Sequence, residues 1–154
     1  MDNKKFTDYY YLLLLGLALL INDRLIYWLI AVVVGDNSLK DSFIMTFENY
    51  SVTKFLFLTI FRSIPYLVLI FIVWSLSRKN EFKAGVAVGG LIAVLFTTIW
   101  GLWELQICFF TDERCGSTQA IGYFILCFWA VLDCMIGCII GGLFDFIYKR
   151  FRER

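Results

Sequence analysis

Four long apolar stretches occupy most of this chain, and they constrain its fold more than any other feature. They run over Tyr9–Val34, Phe55–Leu76, Ala84–Phe110 and Ile121–Tyr148. Each stretch has the roughly 20 apolar residues that a helix needs to cross a hydrocarbon core about 30 Å thick. A soluble domain of 154 residues has too little interior to bury so much apolar surface. The sequence therefore predicts an all-α polytopic membrane protein, with four transmembrane helices in a single membrane domain that covers residues 1–154.

The distribution of basic residues predicts how these helices are oriented. Lysines and arginines cluster before the first stretch, between the second and third, and after the fourth, at Lys4, Lys5, Arg78, Lys79, Lys83, Lys149, Arg150, Arg152 and Arg154. Loops rich in Lys and Arg stay in the cytoplasm. We therefore expect an antiparallel bundle in a membrane of the bacterial inner-membrane type, with the N-terminus and the C-terminus both inside. The formal net charge of +1 gives no reason to expect a nucleic-acid partner.

The first apolar stretch has two features that complicate its assignment as one span. Its basic start and apolar run resemble a secretory signal peptide, but Leu20 and Ile21 offer no small-residue cleavage site. We therefore expect an uncleaved span. The polar segment Asn22-Asp23-Arg24 leaves a second possibility open, in which the stretch divides into two half-segments and one of them is re-entrant.

Ionisable and polar residues within the apolar stretches are the candidate functional residues. They are Asn22, Asp23, Arg24, Arg62, Glu104 and Asp133. Charges at the centre of a membrane helix are costly and usually pair with one another. Estimated depths predict two pairs, Arg24 with Asp133 and Arg62 with Glu104, and leave Asp23 as an unpaired acid. Such pairs would fix the helix register, whereas an unpaired and protonated Asp23 would suit a proton relay.

Small residues predict which helices pack most closely. Gly85 and Gly89 begin the third stretch, and Gly137 and Gly141 lie near the end of the fourth. Both pairs have the Gly-x-x-x-Gly spacing that lets membrane helices approach closely. We therefore expect an antiparallel contact between these two helices. Cys127, Cys134 and Cys138 fall on the same small-residue face of the fourth stretch, and we interpret them as packing residues.

The remaining cysteines and the absence of histidine limit the possible chemistry. Cys108 and Cys115 flank the third loop on the predicted outer side, where they either form a disulfide or remain as two free thiols. The sequence has no histidine and no recognisable catalytic or phosphate-binding motif. We therefore predict no metal, no cofactor and no enzymatic activity.

Two functions are consistent with these features. The first is a small non-catalytic membrane protein that binds another membrane protein, as an immunity or accessory factor does, or that forms a homo-oligomer. The alternative is a proton- or ion-coupled transporter or channel that uses the intramembrane charges. The first loop, with Phe43, Phe47 and Tyr50 among acidic residues, would lie at the outer surface either as a covering flap or as a partner site.

Part of the chain resembles known membrane proteins. The segment Ser117-Thr118-Gln119-Ala120-Ile121-Gly122, followed by a span that ends in Ile136-Gly137-Cys138-Ile139-Ile140-Gly141-Gly142, resembles the last helix of small bacterial inner-membrane proteins. The architecture of four spans with both termini inside is similar to that of the immunity proteins of pore-forming colicins. This likeness implies a bilayer-embedded protein with a membrane-protein partner, and it is one of architecture only.

Overall fold

The described part of the chain folds into six α-helices. The computed structural model describes residues 3–48, 51–78, 84–108, 110–111 and 119–152. The helices are α1 Asn3–Leu20, α2 Asp23–Val33, α3 Leu39–Phe47, α4 Val52–Arg78, α5 Ala84–Ile107 and α6 Gln119–Arg152. The predicted all-helical class is confirmed over these residues.

Three of the helices, α4, α5 and α6, are long and apolar enough to cross a membrane, and the number is four if the bent pair α1–α2 counts as one span. The prediction of one continuous helix over the first stretch is wrong. The chain breaks at Asn22, and the axes of α1 and α2 differ by 57°. The first stretch therefore consists of two helical segments, divided at the polar residues where the alternative expected a division.

Helix α1 packs against α4 and also reaches the start of α5, whereas α2 packs against α5. The Tyr10 hydroxyl in α1 donates a hydrogen bond to the Ala87 carbonyl, one turn into α5, at 2.5 Å. Beyond the break, Ile26 and Ile30 of α2 pack with Leu102 of α5. The apolar core is accordingly divided into two clusters, one beside α1 and one beside α2, and the break lies between them.

Helix α3 folds back against α2 through its small polar residues. Ser42 and Thr46 are fully buried, whereas the rings of Phe43 and Phe47 are about half exposed. The Trp28 indole donates a hydrogen bond to the Leu39 carbonyl at 3.4 Å, which joins the two helices. The aromatic side of α3 is therefore left on the surface of the bundle. The predicted loop residue Tyr50 lies outside the described residues.

Pro65 does not end α4, which continues to Arg78. Proline has no N–H, so the carbonyl of residue 61 lacks its usual helical partner. The Cys127 thiol of α6 lies 3.2 Å from the Phe61 carbonyl oxygen and donates a hydrogen bond to it. The proline thus creates a polar contact between α4 and α6, and Cys127 has a bonding role as well as a packing role.

Candidate functional site

At the break between α1 and α2, side chains form hydrogen bonds with backbone groups that have no partner within a helix. Asn22 caps α2, because its side-chain oxygen accepts a hydrogen bond from the Leu25 N–H at 2.9 Å. Its side-chain amide donates to the Leu19 and Leu20 carbonyls at 3.1 and 3.3 Å. Arg62 of α4 reaches the Ala18 carbonyl at 3.5 Å. These contacts stabilise a helix break inside an apolar bundle, where an unsatisfied backbone group is costly.

Asp23 is the centre of a buried charge cluster at this break. It is 7% exposed, and its Oδ1 lies 3.5 Å from Nη1 of Arg62, which is 9% exposed. Its Oδ2 lies 3.9 Å from Nε of Arg24. Arg62 also donates to the Thr59 hydroxyl at 3.1 Å. Asp23 lies in the first turn of α2, where the helix dipole also favours a carboxylate. Within the described chain, two guanidinium groups therefore share one carboxylate.

These contacts show that the pairing predicted from depth is wrong. The acid beside Arg62 is Asp23 and not Glu104, and Arg24 contacts Asp23 and the Thr46 carbonyl rather than Asp133. The estimate assumed a straight first span, whereas the bend at Asn22 redirects α2. The acid expected to be unpaired is consequently the acid that has ion pairs.

Asp133 and Glu104 lie in different surroundings. The Thr97 hydroxyl of α5 is 2.6 Å from Oδ2 of Asp133, and it is also 3.0 Å from the Ala93 carbonyl. Asp133 is partly exposed, and Glu104 is exposed on α5. Neither acid has an ion pair among the described residues. A carboxylate that is partly exposed on an apolar helix surface is available to a polar group from outside the bundle.

Asp133 belongs to the close contact between α5 and α6. The ideal Cβ of an alanine at Gly89 or Gly137 would fall on the backbone of the facing glycine, and Gly85 and Gly141 face each other in the same way. The helices are therefore in backbone contact at these four glycines. Farther along the contact, Thr97 faces Asp133, and Gly122 faces the side chain of Leu105. The order of these contacts makes the two helices antiparallel.

Asp145 of α6 contacts the start of α5 at the far end of this helix contact, and the sequence analysis did not identify it. Its Oδ2 accepts a hydrogen bond from the Gly85 N–H at 2.7 Å. An acceptor at this position satisfies one of the free N–H groups at the start of α5, and its negative charge complements the helix dipole. Asp145, Gly141, Gly137 and Asp133 recur every four residues along α6. Extending the glycine spacing in both directions would have identified both acids.

The cysteines fall into the two groups that their positions suggest. Cys127, Cys134 and Cys138 are free thiols inside the bundle. Cys108 is disulfide-bonded. Its predicted partner, Cys115, lies outside the described residues.

No protein-family model, curated protein or solved structure matches this chain.

Proposed function

We propose that this protein is a non-catalytic membrane protein that binds a transmembrane helix of another membrane protein. A groove along the α5–α6 contact, with the partly exposed Asp133 one turn beyond its nearest glycine, is the observation that supports the proposal.

The shape of the groove suits an α-helix. It encloses about 480 Å³, and its floor consists of Gly85, Gly89, Ala93, Gly137 and Gly141. Its walls include Ile92, Phe96, Ile140 and Phe144, which are all about half exposed or more. Glycine and alanine let the backbone of a third helix approach closely, and close packing is the main driving force for helix association in lipid.

The position of Asp133 indicates the chemistry of the partner. Asp133 lies about 21 Å from the start of α6, and Thr97 lies about 20 Å from the start of α5, at a rise of 1.5 Å per residue. Both residues are therefore near the middle of the spans. The Thr97 hydroxyl is hydrogen-bonded to Oδ2 of Asp133, whereas Oδ1 of Asp133 has no hydrogen-bond partner in the described part of the chain. A partner helix with a lysine, arginine or side-chain amide at mid-depth would complement it.

A second copy of this chain complements the groove less well. The described arginines within the apolar stretches are Arg24 and Arg62, and both already contact Asp23 inside their own bundle. A homodimer would have to break these contacts to supply a cation to Asp133. We therefore infer that the partner is a different protein.

Proton or ion coupling loses its main support. That interpretation drew on all the intramembrane charges, with an unpaired Asp23 as the acid suited to a proton relay, and Asp23 lies between two guanidinium groups. We retain binding as the proposed function for this reason.

We further propose that the protein crosses the membrane four times, with both termini in the cytoplasm. The bent pair is counted as one span because it extends from the start of α5 to beyond its end, where the Tyr27 and Phe110 rings are 5.0 Å apart. Arg78, Lys149, Arg150 and Arg152 would then lie together on the cytoplasmic side. We expect green fluorescent protein fused after Arg154 to fluoresce and alkaline phosphatase fused there to be inactive. Active phosphatase would rule out this orientation.

Substitution of Asp133 tests the binding function. We expect Asp133→Ala to retain about three- to thirtyfold less of the partner during affinity purification from native membranes, since a hydrogen bond between membrane helices contributes about 0.6–2 kcal/mol. Asp133→Asn keeps a polar group of the same size and should lose less. Asp41→Ala is the control, because Asp41 is exposed on α3.

Two results would contradict the proposal. One is equal recovery of every membrane protein with Asp133→Ala and with the wild type. The other is a proton flux in liposomes that contain only this protein and that stops in Asp133→Asn.

A further inference from the structure

A second groove lies between the α1–α2 break, α3 and the start of α4. It encloses about 400 Å³ and is lined by both aromatic and polar side chains. The lining includes Asn22, Arg24, Trp28, Phe43, Phe47 and Phe55. Its volume lies within the range of about 300–1,000 Å³ that is typical of small-molecule sites. The groove is separate from the α5–α6 contact.

The charged groups beside this groove favour an anionic ligand. Arg24 lines the groove directly, and its Nε lies 3.9 Å from Oδ2 of Asp23. The same carboxylate also forms an ion pair with Arg62. The described cluster therefore carries two positive charges against one negative charge. Arg24 is held in place because its Nη1 donates a hydrogen bond to the Thr46 carbonyl at 3.0 Å. A guanidinium fixed in this way is suited to phosphate recognition.

The depth of the groove corresponds to the headgroup layer. Helix α4 has 27 residues, so it is about 40 Å long and exceeds a hydrocarbon core of about 30 Å. Phe55 is three residues from its start, which is about 5 Å along the axis. The first turn of α4, and with it the end of the groove at Phe55, therefore lies near one membrane surface. A phospholipid whose phosphate contacts Arg24 would place an acyl chain against Phe43, Phe47 and Phe55.

We propose that this groove binds one anionic phospholipid, with the phosphate against Arg24 and an acyl chain along the aromatic wall. The phosphate is a further acceptor for the Arg24 guanidinium, and the acyl chain covers the exposed rings of α3. This site does not depend on the binding function proposed for the α5–α6 groove.

Lipid retention measured by native mass spectrometry tests this site. Purified protein is exchanged into mixed micelles with equal amounts of phosphatidylglycerol and phosphatidylcholine. We expect the wild type to retain one phosphatidylglycerol with about fivefold preference, the effect of about one basic residue near an anionic surface. Arg24→Gln should reduce this preference to about one, and Arg24→Lys should keep most of it.

Two variants serve as controls for charge and for folding. Arg78→Gln removes an exposed arginine from the opposite end of α4, next to Trp74, and should leave the preference unchanged. Phe43→Trp enlarges an exposed side chain in the groove wall and should lower lipid retention while Arg24 is intact.

The proposal would be overturned by equal retention of both lipids in the wild type, or by an unchanged preference in folded Arg24→Gln. Equal losses in Arg24→Gln and Arg78→Gln would also overturn it, because they would indicate general surface attraction. If Arg24→Gln does not fold, unchanged retention in Phe43→Trp overturns it. Displacement of the lipid by millimolar inorganic phosphate would mean that the site binds a free anion instead.

Discussion

Asp23→Ala is expected to lower the free energy of unfolding by about 3–5 kcal/mol, the loss typical of breaking a buried ion pair. The reason is that Arg62, which is 9% exposed, keeps its charge in an apolar bundle without the carboxylate 3.5 Å away. Equilibrium unfolding in mixed micelles of mild detergent and dodecyl sulfate measures the change. Glu104→Ala is the control, because this exposed acid has no ion pair within the described chain, and it should change stability by less than about 0.5 kcal/mol.

A double variant distinguishes the ion pair from simple loss of volume. Asp23→Leu combined with Arg62→Met replaces both charges with apolar groups and should recover part of the loss. The recovery is expected to be incomplete, because Arg62 also donates hydrogen bonds to Thr59 and Ala18. Additive effects of the two single variants would show that Asp23 and Arg62 do not interact.

Gly137→Leu is expected to lower stability by about 3 kcal/mol or more, at the upper end of the cost of overpacking. An ideal Cβ at this position would fall on the Gly89 carbonyl and would lie 2.7 Å from Cβ of Ala93. Neither obstacle is the flexible end of a long side chain, so the helices have to separate. Thermal unfolding in detergent, followed by circular dichroism, measures the effect.

Gly16 provides the matched control for this substitution. It lies inside α1, and a Cβ there would meet nothing within 4 Å. Gly16→Leu should therefore be neutral or stabilising by up to about 1 kcal/mol, the difference in helix propensity. If both leucine variants unfold at the same temperature, the backbone contact between α5 and α6 is not an important source of stability.

The α5–α6 contact could be anticipated from the sequence because both helices are regular. A spacing of four residues places Gly85 and Gly89, or Gly137 and Gly141, on one side of a helix wherever the helix packs. The same spacing contains Thr97 and Asp145, which face α6 and α5 respectively. The packing side of each helix is therefore predictable from this spacing, including the polar residues that continue it beyond the glycines.

The partners of the buried charges could not be anticipated, because they depend on the direction of a helix after a break. From the sequence alone, a role for Asn22 as a polar residue in a straight span is as consistent as a role as a helix cap. Only the capping bond to Leu25 and the 57° bend decide which residues Asp23 can reach. Likewise, the sequence does not show that Ser42 and Thr46, rather than the aromatic residues of α3, face the bundle.

Site-specific photo-cross-linking in native membranes tests the proposed binding function most directly. A photoreactive amino acid is placed at Ile140 in the wall of the α5–α6 groove or, as a control, at Phe71 on the exposed side of α4. We expect a cross-link from Ile140, weakened by Asp133→Ala, to a transmembrane segment that carries a lysine, arginine or side-chain amide near its middle. Cross-links from Ile140 to lipid alone, or to the same proteins as from Phe71, would contradict it.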